Sequence, residues 1–170
     1  MSDPSRLREL LLNLSGLRWR TGDLEGSAHG YEEALALARV HGDGDQEAAA
    51  LASLGVVYHS VGRFEDSLRS GRAALRLLRD LDDLQAEAYV LTSMADSHVG
   101  LGHYPSALSC LRCSLRLRRK IGDTEGEVGV LRDLAKVHEK MGDADRARAS
   151  LKAATRKQRT REVVPQRRNQ

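Results

Sequence analysis

The sequence predicts an all-α solenoid of four antiparallel helix pairs, and three observations carry that prediction. Glycines recur at Gly22, Gly62, Gly102 and Gly142, 40 residues apart each time, with no insertion or deletion between them. Between those breaks, apolar residues fall at helical spacing in columns that repeat from unit to unit. No stretch shows the apolar–polar alternation of a half-buried strand. An internal period of this length marks stacked helical hairpins, whose core is a strip shared between neighbours.

In register, the units are Asp3–Val40, Gly42–Asp80, Asp82–Lys120 and Gly122–Arg161, a single array over residues 1–160. The first helix of each unit carries the columns Leu11, Leu51, Leu91, Leu131 and Leu14, Leu54, Met94, Leu134. Ser15, Gly55, Ala95 and Ala135 form a column of small residues that lets the two helices of a unit approach closely. The glycine at each break takes the left-handed conformation that ends a helix cheaply. Second helices share Leu35, Leu75, Leu115 and Leu37, Leu77, Leu117, and Pro105 is placed where a helix begins. They end at Gly42-Asp43, Asp82-Asp83 and Gly122-Asp123, where an aspartate can accept from the orphan amides of the next helix.

The end units differ. In the fourth, Thr155 and Lys157 stand in the two leucine columns, a polar face that refuses a fifth unit. In the first, Leu7 replaces Glu47, Glu87 and Glu127, and Leu12 replaces Ala52, Thr92 and Arg132. That helix is therefore apolar on more of its circumference than one neighbour covers. It pairs with a second copy or another chain, or an upstream domain once covered it; Leu7, Leu10 and Leu12 are the candidate self-association contact.

The charge is unevenly spread. Residues 146–170 hold nine Lys/Arg and one acid, while residues 1–145 are net −5, within a total of +3. The segment 161–170 is basic, aperiodic and contains a proline, so a disordered tail is expected there. No run approaches the roughly 18 apolar residues that cross a bilayer. The start, MSDPSRLREL, lacks the basic-then-apolar plan of a secretory signal, so the expectation is cytoplasmic.

The second unit reads Leu51, Leu54-Gly55, Tyr58, Gly62-Arg63-Phe64, Ser67, Gly71, Ala74, and the third Leu91, Met94-Ala95, His98, Gly102-His103-Tyr104, Ala107, Leu111, Ser114. This pattern resembles tetratricopeptide repeats in a 40-residue form, over about residues 5 to 160. Gly71, where the family has an aromatic, implies loose local packing. The junction Gly122-Asp123-Thr124-Glu125-Gly126-Glu127 is similar to repeat regions of actinobacterial-type bacterial regulators and of spindle adaptors. The resemblance implies a right-handed superhelix whose groove binds a protein or peptide without catalysis or cofactor.

Carried over position by position, the resemblance lines the groove with Asn13, Gly16, Trp19 and Arg20 in the first unit. Val56, His59 and Ser60 follow in the second, Tyr89, Thr92 and Asp96 in the third, and Arg132, Lys136, Glu139 and Lys140 in the fourth. Trp19 is the one tryptophan; its alternative place is beneath the first interhelical turn. The groove runs from aromatic and neutral to charged, an asymmetry able to orient a peptide. The family's carboxylate clamp is not reproduced, its positions holding Leu12, Gly16, Ser53, Tyr89 and Ser93.

Cys110 and Cys113 form a C-x-x-C, yet in register they match Ser70, Ser150 and Ala73, Ala153. They read as small fillers inside a helix, with no further ligands for a metal. His98 and His138 fall on the Tyr58 column and read as packing residues. Arg72, Arg112, Lys152 and Arg76, Arg116, Arg156 make basic ladders on the second helices. A solvated back face explains them; a stripe for nucleic-acid phosphate is the alternative, disfavoured by the acidic body and the lack of interleaved aromatics. No phosphate-cradling loop, HExxH or nucleophile elbow is present, so no enzyme is expected. Three readings stand: a peptide-binding adaptor within a bacterial regulatory circuit, a self-associating scaffold, and a nucleic-acid-associated protein.

Overall fold

The computed structural model describes residues 4–163, with side chains over 6–160. Within them are eight helices and no strand: α1 (Pro4–Thr21), α2 (Leu24–His41), α3 (Gly44–Ser60), α4 (Phe64–Asp80), α5 (Leu84–Gly100), α6 (Tyr104–Lys120), α7 (Thr124–Lys140) and α8 (Ala144–Val163). The fold is the expected all-α solenoid. Each helix packs most extensively on its neighbours in sequence. α8 runs to Val163, past the start of the expected tail; the rest of that segment, residues 164–170, lies outside the described residues.

The punctuation has half the period read from the glycines. Left-handed residues stand at Gly22, Gly42, Gly62, Asp82, Gly102, Gly122 and Gly142, one every 20 residues. After each, the next backbone amide donates five residues back, as in Asp23 to Arg18, Arg63 to Tyr58 and Asp143 to His138. The next helix then opens on a side-chain cap. Asp23, Asp43, Asp83, Asp123 and Asp143 accept from the amides of Gly26, Gln46, Ala86, Gly126 and Arg146 at 2.8–3.2 Å. Arg63 and His103 make no such bond. A fixed turn repeated at a fixed interval makes each junction nearly equivalent to the last.

The core is a strip of three linked clusters. Tyr31, Leu54 and Val57 form the first, Leu51, Leu75, Leu78 and Leu91 centre the second, and Leu111, Leu131 and Leu134 the third. Gly71 is not loosely packed. Met94 fills the missing aromatic's place, and a Cβ on Gly71 would stand 2.7 Å from Met94 Cγ. Small hydroxyls bridge the hairpins internally, as where Ser27 Oγ donates to the carbonyl of Ser15. Ser114 Oγ donates in the same way to Ala88.

A charged rung crosses every junction between units. Arg39, Arg79 and Arg119, near the ends of second helices, donate to Glu47, Glu87 and Glu127 in the next first helices. Those three glutamates occupy the column where the first unit has Leu7.

Candidate peptide-binding groove

Among first helices, α1 touches α3 and α3 touches α5, while neither the α5–α7 pair nor any two successive second helices come comparably close. Helices α1, α3 and α5 therefore line the inner side of the stack. Side chains cross between them. Trp19 Nε1 donates to Ser60 Oγ at 3.3 Å, and His59 Nδ1 lies 3.1 Å from Ser97 Oγ. Ser97 is itself 2.8 Å from Ser67 Oγ, so His59 ends a chain of hydroxyls reaching into the core. Trp19 is 40% exposed, with its indole spanning two first helices.

Tyr89 stands 52% exposed on α5, where burial and the phenol of Tyr31 push its own phenol's pKa up. Beside it, between α3 and α5, opens a cavity of about 320 Å³ walled by Ala49, Ala52, Leu78, Leu81 and Tyr89, with Asp45 and Asp83 at its rim. Further along, Asp96 is exposed on α5, with Asp133, His59 and Lys136 near enough to act on its charge. Its carboxyl pKa is raised, first by loss of hydration and then by Asp133, with His59 and Lys136 partly offsetting both. Lys136 Nζ is 2.9 Å from Asp133 Oδ1, and this carboxylate raises the ammonium's pKa. Asp96 is left without an ion-pair partner among the described residues.

Of the other expected groove residues, Asn13, Arg20, Glu139 and Lys140 are exposed on α1 and α7, and Gly16 and Val56 are half-buried on α1 and α3. Two also bond to the second helix of their own hairpins. Thr92 Oγ1 donates to the Ala88 carbonyl and lies 3.0 Å from Ser114 Oγ of α6, inside its own hairpin. Arg132 donates to Gln158 of α8 at 2.9 Å. Their column lies four residues on from the buried Ala48, Ala88 and Val128, and its environment varies: Ala52 walls the cavity beside Tyr89, Thr92 is half-buried and Arg132 is exposed. In the first unit the same column places Leu12 against the Tyr31, Leu54 and Val57 cluster rather than outside. Ala49 stands with Tyr89 at the cavity, and Asp133 lies near Asp96. The signal for Ala49 was available, since Ala49, Ser53 and Val56 continue one stripe at helical spacing with Ser60.

The thiols of Cys110 and Cys113 are free and half-buried in α6. Burial pushes the Cys110 thiol up, away from a reactive thiolate. His138 is buried and His98 half-buried, and burial lowers the His98 pKa. Among the described residues no group of three or more His, Cys, Asp or Glu is placed to hold a metal, and no helix is long and apolar enough to cross a membrane.

Residues 6–80 match the family model described as tetratricopeptide repeat. No curated protein matches the chain. Among solved structures it is similar to BtubC (BKLC) from P. vanneervenii, with a TM-score of 0.88 at 22% identity over 96% of this chain and 67% of that one. Aspartyl phosphate phosphatase F from Bacillus subtilis gives 0.88 at 12% identity, over 96% of this chain and 43% of that one. Nearly identical TPR-like repeats from Podosopora anserina give 0.79 at 16%, over 94% and 78%. The chain thus spans less than half the length of the phosphatase. Tetratricopeptide folds serve generally as protein-interaction scaffolds. Residues 6–80 thus match the tetratricopeptide-repeat model, and the described chain shares the all-α solenoid fold of these structures.

Proposed function

We propose that this chain is a non-catalytic interaction module that holds an extended or helical peptide of another protein along its concave face. The observation that carries the reading is the inner face itself. Trp19 and Tyr89 stand 40% and 52% exposed on first helices, with an apolar cavity beside the tyrosine. Exposed aromatic anchors next to a concavity are the usual source of binding energy at protein interfaces. Asp96, exposed and without an ion-pair partner among the described residues, favours a cationic side chain on the bound peptide, next to an apolar one entering the cavity by Tyr89. We place the module in the cytoplasm, in bacterial transcriptional or signalling control. The Gly-Asp-x-x-Gly-Glu junction, whose Asp123 caps α7, supports that setting.

Peptides selected by display against the full chain test the reading. Tyr89→Ala and Asp96→Asn are expected to weaken the selected peptides tenfold or more, while Arg76→Ala on the outer face leaves them unchanged. Equal affinities across all three variants would remove the groove from the account.

A further inference from the structure

The helix α1 carries an open leucine seam. Leu7, Leu10, Leu14 and Leu17 are 46%, 59%, 47% and 55% exposed. Their spacing of three, four and three residues is that of the a and d positions of a two-helix seam. In every later unit the last three of these columns are buried against the preceding second helix. Ala50, Val90 and Val130 are at most 3% exposed, and Leu54, Met94 and Leu134 at most 7%. Val57, Ser97 and Val137 are at most 4% exposed. The first unit thus presents the face on which a helix docks elsewhere in the same molecule, made more apolar than its counterparts.

The surroundings say which helix fits. One flank holds Arg6 and Arg20, both exposed and without an ion pair among the described residues; the other holds Arg18. Two copies meeting in antiparallel fashion along the seam would set Arg6 of one against Arg20 of the other, like charges at flanking positions. Head-to-tail stacking fails differently. Arg159 corresponds to the Arg39, Arg79 and Arg119 rung donors, but Leu7 offers no carboxylate to receive it. The end of the array also presents Thr155, exposed and bonded to its own helix.

We propose that α1 docks an amphipathic helix of a partner protein, with an apolar stripe flanked by Glu or Asp, lying along Leu7, Leu10, Leu14 and Leu17. This site shares Arg20 with the edge of the groove but uses neither Asp96 nor Tyr89 nor the cavity beside that tyrosine.

The test uses the full chain and two synthetic amphipathic peptides, both with leucine at a and d, one with glutamate and one with lysine at e and g. By fluorescence anisotropy the glutamate peptide is expected to bind, and the lysine peptide at least tenfold more weakly. Leu10→Glu and Leu14→Glu, both at exposed positions and checked for unchanged helical circular dichroism, should each weaken the glutamate peptide tenfold or more. Tyr89→Ala should leave it unaffected, which separates this proposal from the groove reading. No binding, equal binding of the two peptides, or indifference to Leu10→Glu overturns the proposal. So does a sedimenting dimer of the unaltered chain that Leu10→Glu converts to monomer, since a second copy would then own the face.

Discussion

Arg119 Nε donates to Glu127 Oε2 at 3.3 Å across the junction of the third and fourth units, and Lys157 Nζ reaches Oε1 of the same carboxylate at 3.1 Å. Glu127 is 3% exposed, so both cations together hold a charge out of water. Removing either one leaves the other, and each single alanine variant is expected to cost about 1 kcal/mol. The double variant strands a buried carboxylate and is expected to cost about 3–5 kcal/mol. Urea denaturation of the four proteins measures this; strictly additive small losses would mean that Glu127 is solvated.

Asp82 is the one non-glycine among the left-handed turn residues, with φ of 53°. Its side chain makes no hydrogen bond or ion pair among the described residues, so nothing visible offsets the strain. Asp82→Gly is expected to stabilise the chain by about 0.5–1 kcal/mol, the cost of left-handed backbone being partly offset by the floppier unfolded glycine. A lower urea midpoint for the glycine variant would contradict this.

Two helical glycines should respond oppositely to alanine. A Cβ on Gly129 in α7 meets nothing within 4 Å, so Gly129→Ala should gain the helical preference of alanine, about 0.5–1 kcal/mol. A Cβ on Gly100 in α5 would lie 2.6 Å from the Phe64 ring, so Gly100→Ala should lose about 1–3 kcal/mol through displacement of that ring. Thermal unfolding of both variants gives the signs directly.

Acid should loosen two junctions. The amide of Gln46, then the Arg8 guanidinium, hold the Asp43 carboxyl below its ordinary 3.8; the amide of Gly126, then Arg118, do the same for Asp123. A depressed folded pKa gives stability that is full above the unfolded value and is lost as pH falls through the folded one. Stability should therefore hold down to about pH 5 and decline below about pH 4. Asparagine still caps a helix but does not titrate. The double variant Asp43→Asn, Asp123→Asn should be less stable at neutral pH and show a shallower acid decline. An unchanged profile would remove these caps as the cause.

The fold was legible because the turn glycines and the leucine columns repeat without a gap, so one hairpin read correctly fixes all four. The site was legible by column only where the column faces one way. Trp19, Tyr89 and Asp96 stand exposed on first helices, whereas Thr92 and Arg132 also bond to the second helix of their own hairpins, a pairing that a column alone does not reveal. Lys157 illustrates a second limit. In sequence it reads as a polar end face, but its ammonium folds back to Glu127, a pairing across 30 residues that periodicity does not reveal. Leu14 illustrates a third. It shares a column with the buried Leu54, Met94 and Leu134, yet stands 47% exposed because no described helix packs on its side of α1.

The central claim is that a partner segment lies along the first helices. A photo-crosslinking side chain placed at Ala49, exposed on the inner face beside the Tyr89 cavity, and separately at Arg76 on the outer face, tests it against a display-selected peptide. The account predicts a crosslinked product from position 49 and none from position 76. A product from position 76 alone would place the partner on the basic outer helices and contradict it.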